Sequence, residues 1–350
     1  MELYKLGKIP WEETQLLYHS LALLGKEALC LVSPVTPYVC IGYHQDVDRE
    51  VDLEFCHKEN IPVFRREVGG GAVFLDGSQL FFQLILKQDN PIVPKKIDLF
   101  YKKFLQPVID VHHEMGIPAI YKPVNDLVVG SRKISGTGAG EIGECIVFVG
   151  NLILDFNYET MSRVLKIPDE KFRHKVKKSI EDNLSTIRRE LGGENADRWN
   201  ERTLNDMIAE RFSNLLGPMT IRKKDTLLLN KMEALRKVMM HDRWFYHKGK
   251  RVDGRIIKIK SGLEIVQKIH KATGGLIRAE FSIENDCYKE VAISGDYFCF
   301  PKDTVNRLER KIEGSFVSSI TGTITKFYKK ETFELPGIKP DDWITVFKIY

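Results

Sequence analysis

The sequence predicts an α+β fold on three observations. Short apolar runs of strand length crowd the first 155 residues. Amphipathic helical patterns are interspersed among them without the strict alternation of a parallel α/β sheet. A second strand-rich stretch follows residue 255. Together these predict a mixed, mostly antiparallel sheet with helical cover, and a small α/β domain after it. A chain of 350 residues is long enough for two domains with a substantial core. The basic, glycine-bearing run Lys248-Gly249-Lys250-Arg251-Val252-Asp253-Gly254-Arg255 is the best linker candidate. The predicted division is a first domain at 1–246, a linker at 247–255 and a second domain at 256–350.

The elements follow in order. Residues 2–9 read as a strand, and Pro10 breaks it. Trp11-Glu12-Glu13-Thr14 then opens a helix with acidic residues in its first turn, which Gly25 stops. Residues 29–32 and 38–42 are buried strands, 47–60 has helical periodicity, and 62–64 is a strand that delivers Arg65 and Arg66 to a glycine loop. Residues 72–75 are expected to be the partner of that strand, and 80–86 is apolar enough for the middle of a sheet. An amphipathic helix at 97–115 contains Pro107. Strands at 119–121 and 126–129 precede a loop of small residues at 136–140, and the chain returns as an apolar strand at 145–155. Residues 158–216 are helical and basic, with a break at 192–195, and 226–242 form one more helix. Strands are expected at 256–269, 274–283 and 288–294, then a helix at 303–313. No element is assigned over 317–350.

Composition narrows the class. Hydrophobic residues at 43% and charged residues at 29% are those of an ordinary globular protein. A net charge of +5 suits an anionic nucleotide or an acidic protein partner without arguing for nucleic acid. The six cysteines are scattered with no Cys-x-x-Cys pair, which predicts reduced thiols and a cytoplasmic location. No basic n-region with an apolar core opens the chain and no run approaches ~18 apolar residues, so neither a secretory signal nor a membrane span is expected.

Two stretches carry chemistry. In Arg65-Arg66-Glu67-Val68-Gly69-Gly70-Gly71-Ala72-Val73-Phe74-Leu75-Asp76, three glycines allow close approach of the backbone to a ligand. Successive N–H groups there can converge on an anion, and the arginines offer bidentate donors. A glycine-rich turn beside two solvated arginines is the plain alternative. Some fifty residues on, Val124-Asn125-Asp126-Leu127-Val128-Val129-Gly130-Ser131-Arg132-Lys133-Ile134-Ser135-Gly136 leads from a strand to a basic dipeptide and more small residues. Asn125 and Asp126 read equally as an Asx turn or as ligands of Mg2+ or of adenine and ribose.

Arg-Arg-x-x-Gly-Gly-Gly-Ala-Val-Phe followed by Asn-Asp-Leu and Arg-Lys-Ile-Ser-Gly resembles the lipoate–protein ligase A family in order and spacing. The segments Gly274-Gly275-Leu276-Ile277-Arg278-Ala279-Glu280 and Ser294-Gly295-Asp296 resemble the small accessory domain of that family. One departure is visible: many members carry His where this chain has Leu75.

The resemblance implies a catalytic domain with the mixed sheet of class II aminoacyl-tRNA synthetases and biotin ligases, followed by an accessory domain. It implies that lipoate, or octanoate, is activated by ATP with Mg2+ to an acyl-adenylate. A lysine of a lipoyl-domain protein then takes the acyl group; the glycine cleavage H protein and the acyltransferase subunits of 2-oxoacid dehydrogenases are such acceptors. Lys133 inherits the catalytic role, touching the acyl carbonyl oxygen and the α-phosphate. The adenylate site is expected at Arg66, Gly69, Gly70, Gly71, Ala72, Val73, Phe74, Asn125, Asp126, Lys133, Ser135 and Gly136, with Arg65 as a further anion ligand and Asp126 as the Mg2+ carboxylate. The rival within the superfamily is an ATP-independent lipoyl or octanoyl transferase with Cys145 as nucleophile. Its lack of an adjacent His argues against that thiol.

Overall fold

The computed structural model describes residues 1–167, 170–248 and 264–349. Its strands are β1 (Glu2–Ile9), β2 (Ala28–Pro34), β3 (Tyr38–Ile41), β4 (Val63–Arg65), β5 (Val73–Leu75), β6 (Gln79–Lys87), β7 (Ile120–Lys122) and β8 (Asp126–Val129). These are followed by β9 (Arg132–Ser135), β10 (Thr137–Ile142), β11 (Cys145–Ile153), β12 (Thr220–Ile221), β13 (Glu264–Ala272), β14 (Gly275–Glu284) and β15 (Cys287–Gly295). The main sheet runs β10-β11-β6-β2-β1-β12. Its β1 is parallel to β2 and β12, and its other pairings are antiparallel. That is the mixed, mostly antiparallel sheet the pattern predicts.

β6 lies inside this sheet because its sequence leaves it no wet face. Residues 79–86 are buried without a break, the continuous pattern of a strand covered on both sides. The helix Trp11–Leu23 supplies part of that cover. It starts after Pro10 with Glu12 and Glu13 in its first turn, and it is buried without interruption over 14–22. Such all-round burial marks a helix wedged within the core, not laid on a surface. The helix Ile97–Glu114 accommodates Pro107 in its interior and packs on the helix Glu201–Leu216.

Three expectations need correction, and one stretch without an expectation is helical. The 47–60 stretch is not one helix: it divides into Val47–Glu50 and Leu53–Lys58, because Asp46 and Asp52 each cap a helix start with a side-chain acceptor. Strand β5 is not the partner of β4, since β3 lies between the two in the order β4-β3-β5. The small-residue stretch 136–140 is largely not a loop. Its residues form β10, paired along its whole length with β11, so the small side chains make a shallow strand surface. Residues 320–330 and 340–347, where the sequence assigns no element, are the helices Ile320–Lys330 and Pro340–Phe347.

Strands β13, β14 and β15 form a separate sheet. It shares a second hydrophobic core, built from residues 272–347, with the helices Thr304–Ile312, Ile320–Lys330 and Pro340–Phe347. Of the predicted linker 247–255, residues 249–255 lie outside the described residues, as do 256–263 of the strand expected at 256–269. Phe298 and Phe300 leave this second unit to join the first core. Ion pairs among the described residues join the units, among them Glu50 with Arg278, Arg49 with Glu280, Glu67 with Lys302, and Lys248 with Glu309.

Candidate active site

The two adjacent arginines do different things because consecutive strand residues point to opposite faces. Arg65 is fully buried. Its Nη1 donates to the carbonyls of Gly42 (3.1 Å), Tyr43 (3.0 Å) and Gln45 (2.6 Å), and its Nε to that of Phe245 (2.9 Å). Burial lowers its pKa to about 10. The expectation that Arg65 binds an anion therefore fails: it is an internal brace. Arg66 emerges on the other face. Its Nη2 donates to the carbonyls of Gly69 (2.8 Å) and Gly71 (2.9 Å), and its Nη1 to that of Cys40 (3.1 Å).

Arg66 thus folds the triple-glycine loop around its own guanidinium. Two glycines are required for that shape. Gly70 has φ of +89°, in the left-handed region. Gly42 lies so near that a Cβ there would sit 1.9 Å from the Gly70 carbonyl oxygen. The Gly70 N–H is itself engaged, donating to the carbonyl of Tyr297 in the second unit at 3.2 Å.

Beside the loop lies a cavity of about 420 Å3, in the range of small-molecule sites. Arg66, Gly70, Gly71, Asn125, Asp126, Lys133 and Gly136 line it, as does Val73. The two sequence motifs therefore meet at one place. Lys133 Nζ is 2.7 Å from Asp126 Oδ1. The Asn125 side-chain amide donates to the Thr137 carbonyl, and the Thr137 hydroxyl to the Asn125 carbonyl, tying β8 to β10.

Gly69, Ala72, Phe74 and Ser135 do not line the cavity. Phe74 alternates away from Val73 and Leu75 and packs with Val39 and Ile41. Ala72 packs against that same cluster. Gly69 faces Tyr297 and Phe298 of the second unit. Ser135 is fully buried and donates its hydroxyl to the Asn151 carbonyl at 2.6 Å. Leu127 and Val128 are buried elsewhere in the fold, outside the cavity lining.

The apolar wall comes instead from Val73, Leu75, Phe81, Val149 and Phe298. Leu75, in the place where the resembling family often has His, is part of it. Polar residues unforeseen in the sequence complete the lining: Gln15, Gln83 and Asn151. Asn151 Oδ1 accepts the Gly136 N–H at 2.8 Å, and its Nδ2 donates to Gln79 Oε1 at 2.7 Å. Gln83 Nε2 donates to the Thr14 carbonyl at 2.6 Å. Glutamines inside otherwise apolar patterns, at 15 and 83, were the available signal. Lys271, Thr273, Gly274, Gly275 and Asp296 bring the second unit to the same cavity, which no local pattern announces.

Behind the wall, His19 is neutral and its tautomer is fixed by its neighbours. Its Nδ1 is 2.7 Å from the Gln15 carbonyl and its Nε2 accepts the Glu67 N–H at 3.2 Å, so Nδ1 carries the proton. Burial pulls its pKa down to about 4. Cys145 is fully buried at the far end of β11, opposite Lys87, and outside the cavity. Burial pushes its thiol pKa up, the reverse of an activated nucleophile. Among the described residues no group of three His, Cys, Asp or Glu side chains converges on a metal position.

An apolar wall, three cations and a glycine loop in one concavity suit an amphiphile with a greasy chain and an anionic head. Lipoate–protein ligase 2 of Staphylococcus aureus is 27% identical over 289 residues, spanning 80% of this chain and 79% of its own. The structure of Plasmodium falciparum LipL1 in complex with lipoate superposes with a TM-score of 0.68 at 16% identity, over 95% of both chains. The bipartite lipoate protein ligase of Thermoplasma acidophilum, studied with its E2 lipoyl domain, gives 0.60 at 22% identity, over 72% of this chain and 98% of that one. A lipoate-protein ligase A bound with ATP gives 0.54 at 21% identity, over 70% and 98%. At these identities the solved structures speak for the fold. The family assignment rests on residues 10–213, more than half of the sequence, which match the lipoyl protein ligase A/B catalytic domain: the chain belongs to that family.

Proposed function

We propose that this chain is an ATP-dependent lipoate–protein ligase that activates lipoate, or octanoate, and transfers it to a lysine of a lipoyl domain. One observation carries this reading: Lys133 and the triple-glycine loop line a single cavity that also has an apolar wall. In the first step a carboxylate oxygen of the acid attacks the α-phosphorus of ATP. The bond from that phosphorus to the bridging oxygen breaks, and pyrophosphate leaves with the electron pair. In the second step the ε-amine of the acceptor lysine attacks the acyl carbonyl, AMP departs, and the amine proton passes to solvent.

This chain's residues bind and orient. The Lys133 side chain bridges the acyl carbonyl oxygen and the α-phosphate, and Asp126 holds it in place. Arg66 shapes the loop and faces the phosphate side. Val73, Leu75, Phe81, Val149 and Phe298 take the hydrocarbon chain and exclude water from the mixed anhydride. Asp126 is a single carboxylate on the cavity wall, with one oxygen on Lys133, which fits Mg2+ bound chiefly through substrate phosphates. When bound, that ion would neutralise charge on the leaving pyrophosphate.

We assign 1–246 to the catalytic domain and 256–350 to an accessory domain, a division supported by the two separate cores. The acceptor is a lipoyl domain such as those of glycine cleavage H protein or 2-oxoacid dehydrogenase acyltransferases. Six free cysteines favour a reducing, cytoplasmic setting, and no helix among the described residues is long and apolar enough to cross a membrane. The test is intact-mass measurement of an isolated lipoyl domain incubated with the chain, lipoate and ATP. A lipoyl adduct on its lysine that requires ATP supports the reading; an adduct formed equally without ATP refutes it.

A further inference from the structure

We propose that Lys271, on the second unit, binds the pyrophosphate end of the nucleoside triphosphate and so completes the phosphate site. This rests on the ligase reading and adds a residue to it from outside the catalytic domain.

Among the three cationic residues lining the cavity, Lys133 is paired with Asp126 at 2.7 Å. Arg66 has both terminal nitrogens on carbonyl oxygens, those of Gly69, Gly71 and Cys40. The loop N–H of Gly70 is engaged by the Tyr297 carbonyl. A triphosphate entering the cavity therefore meets fewer free donors than the motifs suggest. Docking of the second unit removes one of them.

That same docking supplies a replacement. Lys271 is exposed, lines the cavity, and makes no ion pair among the described residues. It sits near the end of β13, paired with Leu276 of β14, so its backbone is held in a hairpin. The hairpin is held over the cavity by Glu50–Arg278 and Arg49–Glu280, two ion pairs made from β14, and by the Gly295 N–H on the His44 carbonyl at 3.0 Å. A lysine on such a mount is a positioned point charge, suited to a departing polyanion. In the adenylation step the electron pair of the breaking phosphorus–oxygen bond goes to pyrophosphate, and Lys271 meets the charge that develops there.

The test is ATP–pyrophosphate exchange by the full chain, with lipoate and saturating ATP. Lys271→Ala is expected to lower the exchange rate by ~10-fold or more and to raise KM for pyrophosphate, with KM for lipoate unchanged. Lys271→Arg restores most of the rate, because charge is what the position supplies. Lysine-to-alanine exchange at Lys311, exposed on the helix Thr304–Ile312 and outside the cavity, leaves all three quantities unchanged. Consumption of pre-formed lipoyl-AMP by a lipoyl domain proceeds at the normal rate in Lys271→Ala, since no pyrophosphate takes part. The inference is overturned if KM for pyrophosphate does not move, or if both half-reactions fall together as a purely structural defect would make them. Absence of acid-dependent exchange in the unaltered chain would instead overturn the ligase reading itself.

Discussion

Lys133 and Asp126 meet across the β8–β9 turn, with Nζ 2.7 Å from Oδ1 and each side chain about one third exposed (35% and 34%). A partly exposed pair of this kind contributes only ~0–1 kcal/mol to stability. The pair matters for where it holds a positive charge: on the wall of the cavity shared with Gly70 and Gly71.

Function and fold should therefore separate cleanly at this position. Lys133→Ala is expected to lower ATP–pyrophosphate exchange by ~100-fold or more. Its unfolding free energy should stay within ~1 kcal/mol of the parent. Exchange kinetics and urea denaturation on the same preparation check both. Near-normal exchange would remove Lys133 from the chemistry.

Cys145→Ser should behave in the opposite way. The thiol is buried away from the cavity, so ATP-dependent activity is retained. A hydroxyl in that apolar position lowers stability by about 1–2 kcal/mol. Loss of acyl transfer in a folded Cys145→Ser protein would revive the thioester alternative.

Gly42→Ala tests whether the glycine loop owes its shape to close approach. The added methyl would fall 1.9 Å from the Gly70 carbonyl oxygen, so backbone must move. A destabilisation of about 2 kcal/mol is expected, together with loss of adenylation beyond what that accounts for at a temperature where the variant is folded. Chemical denaturation and exchange assays read the two effects; wild-type behaviour in both would contradict the packing described.

Stability should fall on acidification through His19. Burial holds its folded pKa at about 4, below the ~6.5 of an unfolded chain. Its contribution is complete above pH ~6.5 and is lost as pH drops towards 4, because there the unfolded chain takes up a proton that the folded one refuses. The slope from this single group reaches ~1.4 kcal/mol per pH unit. Denaturation free energies at pH 7, 6 and 5 should therefore fall less steeply in His19→Gln than in the parent. Parallel profiles would refute the assignment.

Much of this was legible in the sequence where local pattern decides. The unbroken apolar run of β6, the acidic start of the helix at Trp11 and the two motifs around Gly70 and Lys133 each announced themselves. Sequence order did not distinguish Arg65 from Arg66, because the distinction is which way each turns where β4 ends at Arg65. Strand alternation separates Phe74, turned into a different cluster, from Val73 and Leu75 on the cavity wall. Ser135 is turned from the cavity, donating its hydroxyl to the carbonyl of Asn151, sixteen positions later. Phe298 and Lys271 reach the cavity through docking of a distant unit, and such long-range contacts leave no mark on neighbouring residues.

If one cavity holds an activated acid joined to AMP, the first half-reaction must run backwards as well as forwards. The most direct measurement is exchange of labelled pyrophosphate into ATP by the full chain, with lipoate, octanoate and biotin offered separately. Exchange should depend on lipoate or octanoate and be absent with biotin. Exchange with biotin alone, or none with any of the three acids, would contradict it.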